Sequence, residues 1–377
     1  MLSDFELTEL TQPIIAIYNQ IEMELLEKVA KRFDVYDKIG GSLEWQMRKL
    51  DELGALTNES VKVIAQMSKR GEKEIAKMLN DASIGNIDMK LLEEAFTNGF
   101  IFVDPQKLMQ SEALRATVEL SYKSLGKTYK LIQTKALESA KQAYMDVINR
   151  AYIETASGIY DYNTSIRGAL RDMADQGITG ATYRRGNKIV KYSIEGAVRR
   201  DTITAVHQLA NKGAEQATNE IGAEYVEVSA HIGARVSKDP IANHAGWQGK
   251  VYKLEGSDKY PNLKEKTGYP DDIQGLGGVN CRHRMFPFFP GISKPNPYKV
   301  DPKENKKVYE ATQRQRAMER GIRATKKRLT VAKASGDMEK AKEYRAKLTE
   351  QQKQIEKFCK DNNLRRQTER EMVQEEY

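Results

Sequence analysis

All four histidines of the chain fall between positions 207 and 283, and Cys281 stands two residues before His283 in the run Asn280-Cys281-Arg282-His283. Imidazole nitrogen and thiolate sulfur are the donors zinc favours, so His244, Cys281 and His283 could supply three ligands to one ion. On an extended strand, Cys281 and His283 would face the same side. The competing reading is structural: a small buried thiol, with histidines that bond the loop backbone. Zinc sites ordinarily show tighter paired spacings such as C-x-x-C, and no such pair is present. The order His244, Asn280, His283 also raises a metal-dependent nuclease. Asn280 and His283 stand too close to be spread over a hairpin and a helix, however, and no acidic pair completes that site.

Signatures of the commonest enzymes are missing. Gly275-Leu276-Gly277-Gly278 lacks the Lys-Ser/Thr pair and the strand-to-helix setting of a phosphate loop. There is no G-x-S-x-G elbow and no H-E-x-x-H pair. Trp247 and the run Phe286-Pro287-Phe288-Phe289-Pro290 read as the core and lid of a small domain rather than a platform for stacked bases.

Charge supplies the second lead. The 377 residues carry 61 Lys+Arg and 53 Asp+Glu, a net +8; residues 301–377 hold 21 of the basic groups and 14 of the acidic ones, so +7 lies in the tail. Such asymmetry suits a polyanion, most simply double-stranded DNA, with Lys326, Lys327, Arg328, Arg365 and Arg366 as candidate phosphate contacts. Interleaving of acidic and basic residues equally suits a solvated helical face. Two cysteines exclude a disulfide-built scaffold, and no apolar run reaches the roughly 18 residues a membrane-spanning helix needs. The acidic opening Met-Leu-Ser-Asp-Phe-Glu-Leu lacks signal-peptide character, so a soluble intracellular protein without a membrane partner is expected.

The elements that must position these residues predict an α+β, mostly α, fold in three regions. Residues 1–176 read as an elongated helical N-terminal region. A helix over 11–35 is capped by Thr11, with Pro13 in its first turn and Ile14, Tyr18, Ile21, Leu25 and Val29 as its stripe. After Gly40-Gly41-Ser42, helices follow near 43–53, 59–79 and 89–97, the last ending at Asn98-Gly99. The periodic segment 106–158 is either one long helix or two that break near Gly126. Residues 177–300 read as a small α+β domain. It has a hairpin turning at Gly186-Asn187, a helix capped by Ser193, a strand at Tyr225–Ser229 and short segments at Gly249–Tyr252 and Cys281–Phe286. Residues 301–377 read as an antiparallel helical hairpin turning at Ala334-Ser335-Gly336-Asp337.

Four blocks carry a family resemblance. They are His244-Ala-Gly-Trp247-Gln248-Gly249-Lys250-Val-Tyr252; Gly268-Tyr269; Gly275-Leu276-Gly277-Gly278-Val-Asn280-Cys281-Arg282-His283; and Pro290-Gly291. Together with Arg199-Arg200, the Ser237–Pro240 loop and the run from Gln313 to Arg323, they resemble the tailed-phage minor capsid protein 2 family, related in role to Mu-F-like head morphogenesis proteins. The resemblance covers about 180–370. It implies a low-copy virion component in the capsid interior or at the portal vertex, made in the bacterial cytoplasm, with the portal protein and other head proteins as partners. Some such proteins are thought to bind DNA or leave with the genome. Relatives often carry cysteine where this chain has Gly277, which weakens an inherited cysteine-based site. The resemblance implies no catalytic residues and no cofactor, zinc through His244, Cys281 and His283 being the one candidate. Two alternatives stand beside it: a zinc- or thiol-dependent enzyme acting on nucleic acid or a host target, and a packaging or scaffolding factor absent from mature virions.

Overall fold

A computed structural model describes residues 4–35, 42–185, 188–296 and 299–372. The chain begins with α1 (Asp4–Glu9), α2 (Gln12–Ala30), α3 (Ser42–Ser83), α4 (Met89–Thr97), α5 (Pro105–Leu108), α6 (Glu112–Ala156) and α7 (Tyr162–Gln176). Then come β1 (Thr179–Arg185), β2 (Lys188–Ser193), α8 (Ile194–Glu220), β3 (Tyr225–Val228), α9 (His244–Trp247), β4 (Val251–Lys253), α10 (Leu263–Thr267) and β5 (Met285–Phe288). Two long helices, α11 (Pro302–Ala334) and α12 (Met338–Asp361), precede a 3₁₀ turn at Thr368–Arg370. About 66% of the chain is helical, a mostly α fold with a small β part.

Local chemistry sets most boundaries. Asp88 accepts the Leu91 N–H at 3.3 Å to start α4, and Asn98 with Gly99 (φ 73°) ends it. Ser193 Oγ accepts the Gly196 N–H at 3.2 Å at the head of α8. On α2, Ile14, Tyr18, Ile21, Leu25 and Val29 are all buried.

One expectation is corrected. The helices expected near 43–53 and 59–79 are one, α3, which runs through Gly54. Of the two alternatives at Gly126, α6 takes the unbroken one; an added Cβ there would meet nothing within 4 Å, and the buried residues Leu125 and Tyr129 outweigh the roughly 1 kcal/mol that a helical glycine costs. Of the short segment Cys281–Phe286, the part from Met285 is strand, for a reason given below. Gly40, Gly41 and the expected turn Gly186-Asn187 lie outside the described residues.

β1 and β2 pair antiparallel from Thr179↔Ser193 to Arg185↔Lys188, with a bulge between Thr179 and Ala181. Gly180 sits in that bulge because a Cβ there would lie 2.7 Å from Ile194 Cα. A second sheet has the order β4-β3-β5, with both pairings antiparallel. β3 departs from simple alternation: Val226, Glu227 and Val228 are all buried, as a central strand demands.

Packing divides the chain into two units that cut across the regions 1–176, 177–300 and 301–377. Unit 1 comprises Met1–Gln12, Lys73–Lys127 and Arg199–Gln313; unit 2 comprises Pro13–Glu72, Thr128–Val198 and Arg314–Tyr377. Unit 1 has one core beneath the second sheet, including Val226, Val228, Trp247, Tyr252, Leu276, Cys281 and Met285. Another of its cores joins Leu92, Ile101 and Leu108 to Ala217, Ile221 and Phe289. In unit 2, Phe33 and Tyr144 (5.0 Å), and Trp45 and Tyr162 (4.5 Å, edge-on), form an aromatic cluster. The α11–α12 hairpin closes over Ile322, Ile355 and Cys359, turning at 335–337 as expected.

Unit 2 is also joined by charge. The Glu22 carboxylate, fully buried, accepts the Ile178 N–H at 3.3 Å, the Glu195 N–H at 3.1 Å and Lys327 Nζ at 2.5 Å. One side chain of α2 thus fastens the start of the hairpin, the head of α8 and the middle of α11.

Candidate functional site

The motif residues reach their places in unit 1 by identifiable local rules. Asn280 adopts φ 58°, in the left-handed region that asparagine tolerates better than most residues, and its N–H meets Thr204 Oγ1 at 3.3 Å. Burial then alternates: Cys281, His283 and Met285 face inward, while Arg282, Arg284 and Phe286 are half-buried. The period-two pattern read from the sequence is therefore present, although the ladder starts only at Met285. Before it, side chains stand in for a neighbouring strand. Ser229 Oγ accepts the Arg284 N–H at 2.9 Å. From α8, the buried Asn211 donates to His283 O at 3.1 Å and accepts the Met285 N–H at 2.9 Å. Asn211 in turn is held by Asn86 at 3.1 Å.

Two motif glycines are demanded by space. A Cβ on Gly275 would lie 2.1 Å from Thr267 O, and one on Gly278 would lie 2.4 Å from Ile273 O. Gly249 takes φ 67° and donates to Val228 O at 3.0 Å, closing the turn into β4. Arg235 reaches over the glycine-rich loop to Gln274 O (3.2 Å) and Val279 O (2.9 Å).

At the centre, His244, Cys281 and His283 converge: a ring nitrogen from each histidine and the sulfur lie within 4.8 Å of one another. Cys281 Sγ is 3.7 Å from His283 Nδ1. The outer ring nitrogens are committed. His244 Nε2 lies 2.7 Å from Gln274 O, a pure acceptor, so Nε2 carries the proton there. Gln248 Oε1 accepts the His231 N–H at 3.0 Å, which fixes it as the oxygen end; His283 Nε2, also 3.0 Å away, must then donate to it. Both histidines are left with a lone pair on Nδ1. His231 stacks on His283 at 4.2 Å, and Trp247 lies edge-on to His283 at 4.7 Å with its Nε1–H on Ile241 O at 2.9 Å.

Burial holds both rings neutral. It pulls His244 down to about 4, and it pulls His283 well below the ordinary histidine value, with the neighbouring His231, His244, His207 and Arg235 adding to it. Exposure is 3% for His244 and 1% each for Cys281 and His283, so no polymeric substrate reaches them. The arrangement can hold a small ion or a dry hydrogen-bonded core. Sequence reasoning found His244, Trp247, Gln248, Cys281 and His283 but missed Asn211, which reads there as one more polar residue in a helix.

The pattern of the family described as phage minor capsid protein 2 matches residues 2–360. The chain belongs to that family. Its expected resemblance therefore extends over nearly the whole sequence, and its role is that of a phage minor structural protein. A structural protein of Lactococcus phage LL-H is 25% identical over 344 residues, 87% of this chain and 88% of that protein. A structural protein of Lactococcus phage mv4 is 29% identical over 116 residues, 30% of this chain and 93% of that protein. No solved structure matches the chain. No helix among the described residues is long and apolar enough to cross a membrane.

Within unit 2 of this family member, at least three of the five candidate phosphate contacts are engaged in ion pairs. Lys327 is buried against Glu22, Arg328 pairs with Asp175, and Arg366 grips Glu371 at 2.7 Å. Lys326 is half-buried and Arg365 exposed. Further cations that face solvent line α12: Lys342, Arg345, Lys347, Lys353, Lys357 and Lys360.

Proposed function

We propose that this protein is a low-copy, non-enzymatic component of the tailed-phage head, seated in the capsid interior or at the portal vertex against the portal protein and other head proteins. It is built into the particle from the host cytoplasm. The observation that carries this reading is the burial of the family motif. His244, Trp247, Gln248, Cys281 and His283 form the interior of unit 1, where they hold a shape for docking rather than act on a substrate. Quantitative mass spectrometry of DNA-filled particles beside particles emptied by ejection tests it. A few copies per filled particle are expected, and loss on ejection would add a delivered role. Absence from both would refute the virion reading in favour of an assembly factor.

A second reading, contact with packaged double-stranded DNA, is favoured by the exposed cations of α12. Neutralising about six phosphates gives a slope of log K against log salt near −5. Charge-neutral substitution of Lys353, Lys357 and Lys360 together should reduce that slope by about 3, and an unchanged slope refutes this surface.

A further inference from the structure

We propose that His244, Cys281 and His283 bind one zinc-class divalent ion inside unit 1. The inference stands on geometry and goes beyond the structural role above. In a tetrahedral site with Zn–S near 2.3 Å and Zn–N near 2.0–2.1 Å, a sulfur and a nitrogen ligand stand about 3.6 Å apart. Cys281 Sγ and His283 Nδ1 stand 3.7 Å apart. The third donor lies within 4.8 Å, so closing the set needs side-chain movement of roughly 1 Å.

The surroundings match what a metal centre requires beyond its ligands. Each coordinating imidazole ordinarily donates its outer N–H to a carbonyl or carboxylate, which fixes the ring and leaves the inner nitrogen for the metal. Here His244 donates to Gln274 O and His283 to Gln248 Oε1, which leaves Nδ1 of each ring to coordinate. Gln274 O is itself steadied by Arg235, and Gln248 by the His231 N–H. Binding deprotonates the Cys281 thiol: the S–H bond breaks, the Zn–S bond forms and the proton passes to solvent. Two imidazoles and one thiolate leave a fourth position for water.

The test uses the full chain without a histidine tag, purified from zinc-supplemented cells and desalted. About one zinc per chain is expected by elemental analysis; less than about 0.2 overturns the proposal, since sites of this kind hold zinc tightly. Cobalt loaded in place of zinc should give a sulfur-to-cobalt charge-transfer band that disappears in Cys281→Ser and persists in Cys359→Ser. A band that survives Cys281→Ser overturns the assignment. If Cys281→Ser fails to fold, the zinc content and cobalt band of the parent chain and of Cys359→Ser decide alone. Their absence leaves a thiol–imidazole hydrogen bond as the full account of the cluster.

Discussion

Replacing Lys327 by methionine should destabilise unit 2 by about 3–5 kcal/mol, the usual cost of stranding one member of a buried pair. Glu22 has no exposed surface, and of its three donors only Lys327 carries charge. The Ile178 and Glu195 amides satisfy lone pairs without neutralising the carboxylate. Methionine keeps most of the stem volume and removes the ammonium. At about 2–4 °C per kcal/mol for a unit of this size, the thermal midpoint should fall by roughly 10 °C. Adding Glu22→Gln should recover most of the loss: the charge is gone and the amide oxygen still accepts an N–H, leaving a deficit of about 1 kcal/mol for the second. Calorimetry of the full chain, with urea titration as a check, reads both effects. A loss below about 1 kcal/mol in the single variant, or no recovery in the double, refutes the closed ion pair. The proposed DNA contact supplies a separate readout at a temperature where both proteins are folded. The salt slope of Lys327→Met should equal that of the parent, and a slope reduced by about 1 would place this ammonium on phosphate instead.

Other consequences are open to the same methods. Burial pushes the Glu227 carboxyl above its ordinary 4.5, against the lowering effect of the Asn296 N–H that it accepts at 2.6 Å. A raised folded value contributes stability that is complete below about 4.5 and is lost as pH rises through the folded value. Glu227→Gln should therefore be more stable than the parent at pH 7 and converge with it in acid, and lower stability at pH 7 would contradict the sign. Gly275→Ala and Gly278→Ala, which drive a methyl into Thr267 O and Ile273 O, should each cost about 1–3 kcal/mol in denaturant titrations. Gly126→Ala, with open space around its Cβ, should stabilise by up to about 1 kcal/mol; a loss there would mean that α6 does not run through the position.

How far these elements could be read beforehand depended on whether their causes were local. Asp88, Ser193 and the Asn98-Gly99 pair act within three or four residues of themselves, so α4 and the head of α8 stood where expected. Period-two burial through 281–285 was legible because it follows from strand geometry. Its ladder boundary was not, because Asn211 on α8 supplies hydrogen bonds that a neighbouring strand would otherwise give. The gap at Gly54 misled in the other direction, and Gly126 left the reading undecided: a glycine weakens a helix locally, but apolar burial on either side decides. Lys327 read as a phosphate contact because nothing near it in sequence reveals a carboxylate on α2. At the motif, residue types brought His244, Cys281 and His283 to notice, whereas the protonation pattern required Gln274 O and Gln248 Oε1 in place.

The Glu22–Lys327 pair also orders events in time. The partners are 305 residues apart, and a ribosome adding about 5–20 residues per second needs roughly 15–60 s to make the second after the first. Throughout that interval the carboxylate has no ammonium to receive it, so α2 cannot settle against the head of α8 at its final stability. Unit 2 gains this pair only once α11 has emerged. A chain cut short before position 327 leaves the unit without its central charge pair.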